Sequence, residues 1–505
     1  MIETVYQAPL NYSNPGVGST AIAMVKLNAT MENGLEYGGP IFVNPGGPGG
    51  PGVLTLILGG PEGGKVLQER FGNQFDVIGF DPRGVVFSTP NVTIPLAVSR
   101  EYSDLNSTSD ALPEAWAEYQ AFGQAARALD NGLLDFVHTG NVARDMLGMV
   151  EALGQEKLQY FGQSYGTALG ATFATMFPAC YTDALWVIAI LLLYGFIGTK
   201  LEVTGCVDMD DYFGNGFTTT GLLDADKAMQ TFFDGCHSAG PEACPFYASS
   251  PSKIADNLEA IYASLRSQPA PVFTGETSGV LTYDALRNAV FTAISTPYPL
   301  FQTLAIGIFR GGPNVNVASE LVLNILGAQI AILCSDADPP NATVSDLRET
   351  MANINSTFAG MFVLPIRNRC AGWKFHPSDR FQGMFISTGD IAVFLILPQV
   401  QLGPTPALLF YLLGIQRTRE RHWYREFISR PYIRIHFFKK IPSTRKTSSM
   451  FPGSAVLVQN SPGHTALIVQ SNCTSQHLAT YFATGELPAD GTVCQVDEPL
   501  FPGAN

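Results

Sequence analysis

The sequence predicts an α/β fold, with a mostly parallel sheet covered by helices on both faces and an inserted helical cap. Three observations predict it. Short apolar strands alternate with helical patterns through the first 180 residues, a Gly-x-Ser-x-Gly pentapeptide separates a strand from a helix, and a long, mostly helical block follows. With 505 residues, 46% of them hydrophobic, the chain can build a large core, which excludes global disorder. Its 43 acidic residues against 29 basic give a net charge of -14, which excludes general binding to nucleic-acid backbones.

The elements follow in order. Residues 20–27, 40–43 and 75–80 read as strands between Gly/Pro turns. Residues 113–153 read as helical, with Val142, Met146, Val150 and Leu153 marking one buried face. A short strand at 158–161 leads to a new helix after Ser164. The block 207–380 is mostly helical: Ile254, Leu258, Ile261 and Leu265 form an apolar stripe behind a Ser250-Pro251 start signal. The expected units are therefore 1–206, the cap at 207–380, and 381–505. Two apolar runs are not read as membrane spans. Residues 184–198 are too few, and 391–414 carries Pro398, Pro404 and Pro406.

The chemistry concentrates at Gly162-Gln163-Ser164-Tyr165-Gly166. A sharp strand-to-helix turn holds the serine hydroxyl clear of the sheet, and the flanking glycines make room for neighbouring backbone. Such a nucleophile requires donors for the oxyanion. The strand at 40–43 runs into Asn44-Pro45-Gly46-Gly47-Pro48-Gly49-Gly50, so Gly46 or Gly47, with the N–H of Tyr165, are the expected donors. The base should come late in the chain. Of seven histidines, His464 stands in a Gly/Pro loop after the strand at 455–458, and His477 is its rival. No CxxC occurs and the loop at 44–52 lacks the Lys-Ser/Thr of a P-loop, so no metal or cofactor is expected.

Taken together these pieces resemble the secreted tripeptidyl aminopeptidases and proline-iminopeptidase-like serine peptidases of the α/β-hydrolase fold, with the C-terminal domain typical of the tripeptidyl enzymes. The resemblance is carried by Asn44 to Gly49, Phe80-Asp81-Pro82-Arg83-Gly84, Gly162 to Thr167, Cys370-Ala371-Gly372-Trp373, Phe451-Pro452-Gly453-Ser454 and Ser461-Pro462-Gly463-His464. It implies release of short peptides from a free N-terminus, a peptide substrate, and cap carboxylates pairing with the substrate ammonium. Asp208, Asp210, Asp211 and Asp336 are the candidates for that anchor.

Three departures from the family pattern stand out. Val86 occupies a position where the pattern has glycine, crowding a turn. Residues 181–204 form an apolar run where a short polar link and a strand are expected. No Asp lies between Asp390 and His464, where the catalytic acid belongs, which leaves Asp390 as the nearest candidate and Glu420 and Glu426 behind it. Between Arg417 and Lys446 lie 10 of the 29 basic residues and only those two glutamates. Residues 181–204 and 391–444 thus read as foreign to the ancestral fold, the second having displaced the acid.

Six of eight cysteines fall into the pairs 236–244, 334–370 and 473–494, leaving Cys180 and Cys206. Seven N-x-S/T sequons, at Asn11, Asn28, Asn91, Asn106, Asn341, Asn355 and Asn472, join them in predicting a secreted glycoprotein, although residues 2–4 open no apolar leader.

Overall fold

The structure is a computed structural model and describes residues 2–31, 34–58, 61–92, 94, 103–177, 181–190, 201–202, 207–216, 220–273, 278–298, 301, 320–338, 343–363, 368–383, 393–400, 448, 454–464, 469–489 and 491–501. Strands β1 (Ile2–Pro9) and β2 (Ser19–Leu27) pair antiparallel at one edge of the sheet. The chain then adds β3 (Gly39–Asn44), helices α1 (Gly52–Ile57) and α2 (Pro61–Phe71), and β4 (Phe75–Phe80). Residues read as one helical stretch form two helices, α3 (Ala111–Leu129) and α4 (Thr139–Ala152). Asp130 ends the first by turning its carboxylate onto the N–H groups of Gly132, Leu133 and Leu134. Next come β5 (Leu158–Gln163), α5 (Tyr165–Met176) and β6 (Tyr181–Ile190).

A long insertion separates β6 from its sheet neighbour. It holds the short β7 (Leu201–Glu202), α6 (Met209–Asn215), α7 (Ala225–Ala243), α8 (Pro251–Ser267), the hairpin β8 (Ala270–Phe273) and β9 (Ser278–Leu281), then α9 (Tyr283–Ser295), α10 (Glu320–Asp336), α11 (Val344–Asn353) and α12 (Ala359–Val363). Ser250 caps α8 by accepting from the Lys253 N–H, with Pro251 at the first helical position. The chain returns as β10 (Val393–Val400), β11 (Ala455–Asn460), α13 (Asn472–Thr484) and β12 (Val493–Gln495).

The sheet runs β1-β2-β4-β3-β5-β6-β10-β11-β12, with β7 antiparallel to the end of β10. From β4 to β12 every neighbouring pair on that path is parallel. Both faces are covered, as a parallel sheet requires, and alternate residues serve opposite faces. Phe42, Ile78 and Tyr160 pack with Val142, Met146 and Phe173 of α4 and α5. Ile41, Val43, Val77 and Phe161 pack with Leu56, Phe71, Leu478 and Phe482 on the other face. The stripe on α4 reaches only to Val150, because Leu153 is exposed. Residues 181–190, within the run expected to depart from the fold, take the strand position between β5 and β10.

Three disulfides join Cys236 to Cys244, Cys334 to Cys370 and Cys473 to Cys494, the pairing expected; Cys180 and Cys206 lie outside the described residues. Among the described residues no helix is long and apolar enough to cross a membrane.

The Asp-Pro-Arg-Gly turn after β4 fixes the ground beneath the site. Arg83 is fully buried and donates from Nε to Asp145 at 2.8 Å, from Nη2 to the same carboxylate at 2.5 Å, and from Nη1 to the Leu10 carbonyl at 2.8 Å. Tyr12 completes the arrangement by donating to Asp145 at 2.8 Å. Val86 does sit in the left-handed region, at φ 37, which disfavours a β-branched residue. Asn324 Oδ1 accepts its N–H at 2.7 Å and Asn91 Nδ2 donates to its carbonyl at 2.9 Å, so both sides of the strained residue are clamped.

Candidate active site

Ser164 occupies the turn between β5 and α5 with φ 57 and ψ -128. A non-glycine residue is costly there, and Val86 is the other case among the described residues. The glycines around it are there because nothing larger fits. A Cβ on Gly162 would stand 2.4 Å from the Gly166 carbonyl oxygen, and one on Gly166 would stand 2.8 Å from that of Asn44. The serine is buried, at 3% exposure, and its carbonyl accepts the Thr167 N–H at 2.8 Å as α5 begins.

The loop after β3 packs directly against this turn. A Cβ on Gly46 would lie 2.3 Å from the Gln163 carbonyl oxygen, 2.6 Å from Ser164 Cβ and 3.0 Å from the Tyr165 nitrogen. Asn44 shapes the loop by accepting the Gly46 N–H at 2.9 Å. That bond commits the Gly46 donor, leaving the Gly47 N–H as the loop's candidate for an oxyanion. Tyr165 stands at the first position of α5, where an N–H has no helical acceptor. Asp81 secures the next element by accepting from the N–H of Val53, at the start of α1, at 2.9 Å, and from that of Phe87 at 3.1 Å. Burial pushes its carboxyl up to about 6, against the pull of those two donors.

His464 follows β11. Because β5, β6, β10 and β11 are successively parallel, Ser164 and His464 leave the sheet at the same end. The His464 N–H donates to the Ser295 carbonyl at the close of α9, at 2.5 Å. Burial pushes its imidazole down to about 3, so the ring is a neutral base at ordinary pH. The rival His477 lies on α13 beside the Cys473–Cys494 bridge, its ring nitrogen within 4.8 Å of both sulfurs. With both cysteines in the disulfide, that trio has no thiolate to offer a metal.

The four carboxylates suggested for the substrate ammonium have the following partners. Asp208 caps α6 by accepting the N–H groups of Asp210 and Asp211. Asp211 accepts from the N–H and hydroxyl of Thr220 at 2.9 and 2.8 Å. Asp336 is fully buried and accepts from the Thr139 N–H, the Thr139 hydroxyl and the Tyr212 hydroxyl. Of the four, Asp210 is exposed. Asp390 lies outside the described residues; in the chain it precedes β10, whereas Ser164 and His464 each follow a strand. Sequence reasoning passed over Thr139 and Tyr212. Neither sits in a motif, and each meets Asp336 across more than a hundred residues of chain.

Residues 39–180 match the family model for the alpha/beta hydrolase fold, and residues 441–494 match that for TAP-like protein. Serine protease Hip1 of Mycobacterium tuberculosis is 33% identical over 177 residues, which is 34% of this chain and 32% of that protein. Tripeptidyl aminopeptidase of Streptomyces lividans is 32% identical over 177 residues, again 34% of this chain and 32% of that protein. The chain thus spans about a third of the length of the curated relatives it matches. A crystal structure of proline iminopeptidase from Mycobacterium smegmatis aligns over 96% of this chain and 100% of that one, at 11% identity and a TM-score of 0.35, a likeness too remote to bear on the site. With its strand order, its turn at Ser164 and these matches, the chain is a protein of the α/β-hydrolase fold with a TAP-like C-terminal segment.

Proposed function

We propose that this protein is a serine hydrolase of the peptidase type, which releases short peptides from free N-termini through an acyl-enzyme. The observation that carries the reading is Ser164, held at φ 57 at the head of α5 with Gly46 pressed against it. In this reading Ser164 Oγ attacks the scissile carbonyl carbon while His464 takes its proton and passes it to the leaving amine. The oxyanion accepts from the N–H groups of Tyr165 and Gly47, and water then hydrolyses the ester. The names of the relatives support a peptide substrate, and the acidic start of α6, with Asp208 and Asp210, offers a place for its ammonium. Three disulfides and exposed sequon asparagines at 28, 106, 355 and 472 support a secreted glycoprotein.

The test is labelling by a fluorophosphonate probe, together with hydrolysis of tripeptide anilides bearing free or acetylated N-termini. Ser164→Ala should abolish labelling, and the acetylated substrates should be cleaved more slowly. Labelling that survives Ser164→Ala would end the assignment.

A specific observation favours a second reading, a catalytically impaired hydrolase. β10 takes the sheet position between β6 and β11, and after Val400, where the acid of the triad belongs, the sequence offers no carboxylate before Glu420. The matched stretches stop at residue 180 and resume at 441, leaving unmatched all of 181–204 and all but the last four residues of 391–444. Without an acid, the imidazole loses tautomer control and the imidazolium its partner, a loss of roughly 10⁴-fold in kcat. Replacing residues 401–444 by a short Asp-bearing loop should raise turnover. An ordinary rate in the natural chain, lost in Asp390→Asn, would instead make Asp390 the third member.

A further inference from the structure

Behind the nucleophile's turn runs a buried chain of hydroxyl groups that ends on a carboxylate. Asp336, the last residue of α10, accepts the Thr139 N–H at 2.8 Å, the Thr139 hydroxyl at 2.5 Å and the Tyr212 hydroxyl at 2.7 Å. The Thr139 hydroxyl lies 2.6 Å from that of Tyr165. Since the Thr139 proton is directed at the carboxylate, the Tyr165 hydroxyl is the donor in that contact. Donation therefore runs from Tyr165 through Thr139 to Asp336, with Tyr212 entering from the side. Every group in it is buried, and the rings of Tyr165 and Tyr212 lie 5.7 Å apart. Arg380 donates to the Asp336 carbonyl and pairs with Asp338 at 2.5 Å, tying down the end of α10.

The members come from four separate elements. Thr139 opens α4 and Tyr165 opens α5, both in the body of the fold, while Tyr212 of α6 and Asp336 of α10 belong to the insertion. Three donors on two carboxylate oxygens leave little capacity for a ligand, so the cluster is built to hold rather than to bind. What it holds is the residue next to Ser164.

We propose that Asp336 and Thr139 are positioning residues that fix Tyr165, and through it the backbone N–H serving the oxyanion, in register with the docked insertion. The proposal rests on reading Ser164 as the nucleophile, and it adds that the competence of the turn depends on how α6 and α10 are seated. A side chain that fixes the ring of Tyr165 fixes its Cα, and the donor N–H is one bond from that atom. An error of about 1 Å at such a group is enough to cost roughly 100-fold in rate.

Thr139→Val removes the hydroxyl at nearly constant volume, and Thr139→Ser keeps it. The first should label with a fluorophosphonate roughly 10- to 100-fold more slowly than the parent, and the second within about threefold of it. Hydrogen exchange supplies a readout that does not need activity. In Thr139→Val, but not in Thr139→Ser, the Thr167 amide, which is bonded to the Ser164 carbonyl, and the amides of α6 should lose protection, while those of β3 and β4 keep theirs. Unchanged protection at Thr167 and α6 in Thr139→Val would overturn the proposal, as would equal labelling by the two variants. Ser164→Ala, run alongside, isolates the premise: labelling that persists there removes the nucleophile, while the exchange measurements still decide whether the relay exists.

Discussion

Gly46→Ala tests the core of the site, because the added methyl has nowhere to go. Its three nearest neighbours would be the Gln163 carbonyl oxygen at 2.3 Å, Ser164 Cβ at 2.6 Å and the Tyr165 nitrogen at 3.0 Å, and none of these can rotate away. Ordinary contact needs about 3.4 Å or more, so the loop or the turn must retreat by about 1 Å. The native φ of 94 adds strain for any residue with a Cβ. Overpacking costs about 1 to 3 kcal/mol and the left-handed backbone about 1 to 2 kcal/mol, which together give about 2 to 5 kcal/mol of lost stability. The same retreat shifts the oxyanion donors relative to Ser164 and should slow fluorophosphonate labelling roughly 100- to 1,000-fold. Urea unfolding followed by tryptophan fluorescence reads the first effect, and the second-order labelling constant reads the second. Gly34→Ala is the control: its φ is 73, but nothing lies within 4 Å of the added methyl, so only backbone strain of about 1 kcal/mol remains and labelling should not change. The reasoning fails if Gly46→Ala unfolds like Gly34→Ala and labels within threefold of the parent.

Further expectations concern the scaffold and its pH response. Asp145→Leu and Arg83→Met should each destabilise by about 3 to 5 kcal/mol, because each leaves a buried charge unpaired, whereas the double variant should cost much less than their sum in a double-mutant cycle. His464 is held below its unfolded value of about 6.5, so its contribution to stability is complete above that pH and is lost as the pH falls toward about 3. Replacing it with Gln should therefore flatten the acid side of the unfolding profile between those limits, and the parent should label at a nearly constant rate from pH 7 to 5. Opening the Cys334–Cys370 bridge by Cys→Ala at both positions should cost about 2 to 4 kcal/mol in urea, as expected for a closed loop of 36 residues.

The turn at Ser164 was legible because its constraint is local. A strand, five residues and a helix specify the geometry without help from the rest of the chain. The crowding at Val86 was legible for the same reason, since one side chain against one backbone conformation decides it. The strand β1 escaped notice because Thr4-Val5-Tyr6 is too short a signal to stand out until β2 pairs with it. Nor could residues 181–190 of the apolar run be seen as a sheet member, since their pairing with β10 depends on residues some two hundred positions away. The contact of Thr139 with Asp336 bridges a separation of 197 residues and leaves no trace in either neighbourhood. Asn44 shows an intermediate case: its place at the end of a strand was evident, but its capture of the Gly46 N–H, which leaves Gly47 as the proposed donor, shows only in the fold.

The place of the insertion between β6 and β10 has a consequence for synthesis. When the ribosome has finished β6, that strand can pair with β5 on one side, but its other partner lies about two hundred residues further on. At 5 to 20 residues per second the free edge waits roughly 10 to 40 s. Throughout that time Leu185-Trp186-Val187-Ile188-Ala189-Ile190 presents unpaired amides in a run of six uncharged residues, with Asp183 near the start of the strand as its single charge. Yield from a heterologous host should accordingly be limited by association of nascent chains at this edge, and it should improve when a holding chaperone is supplied.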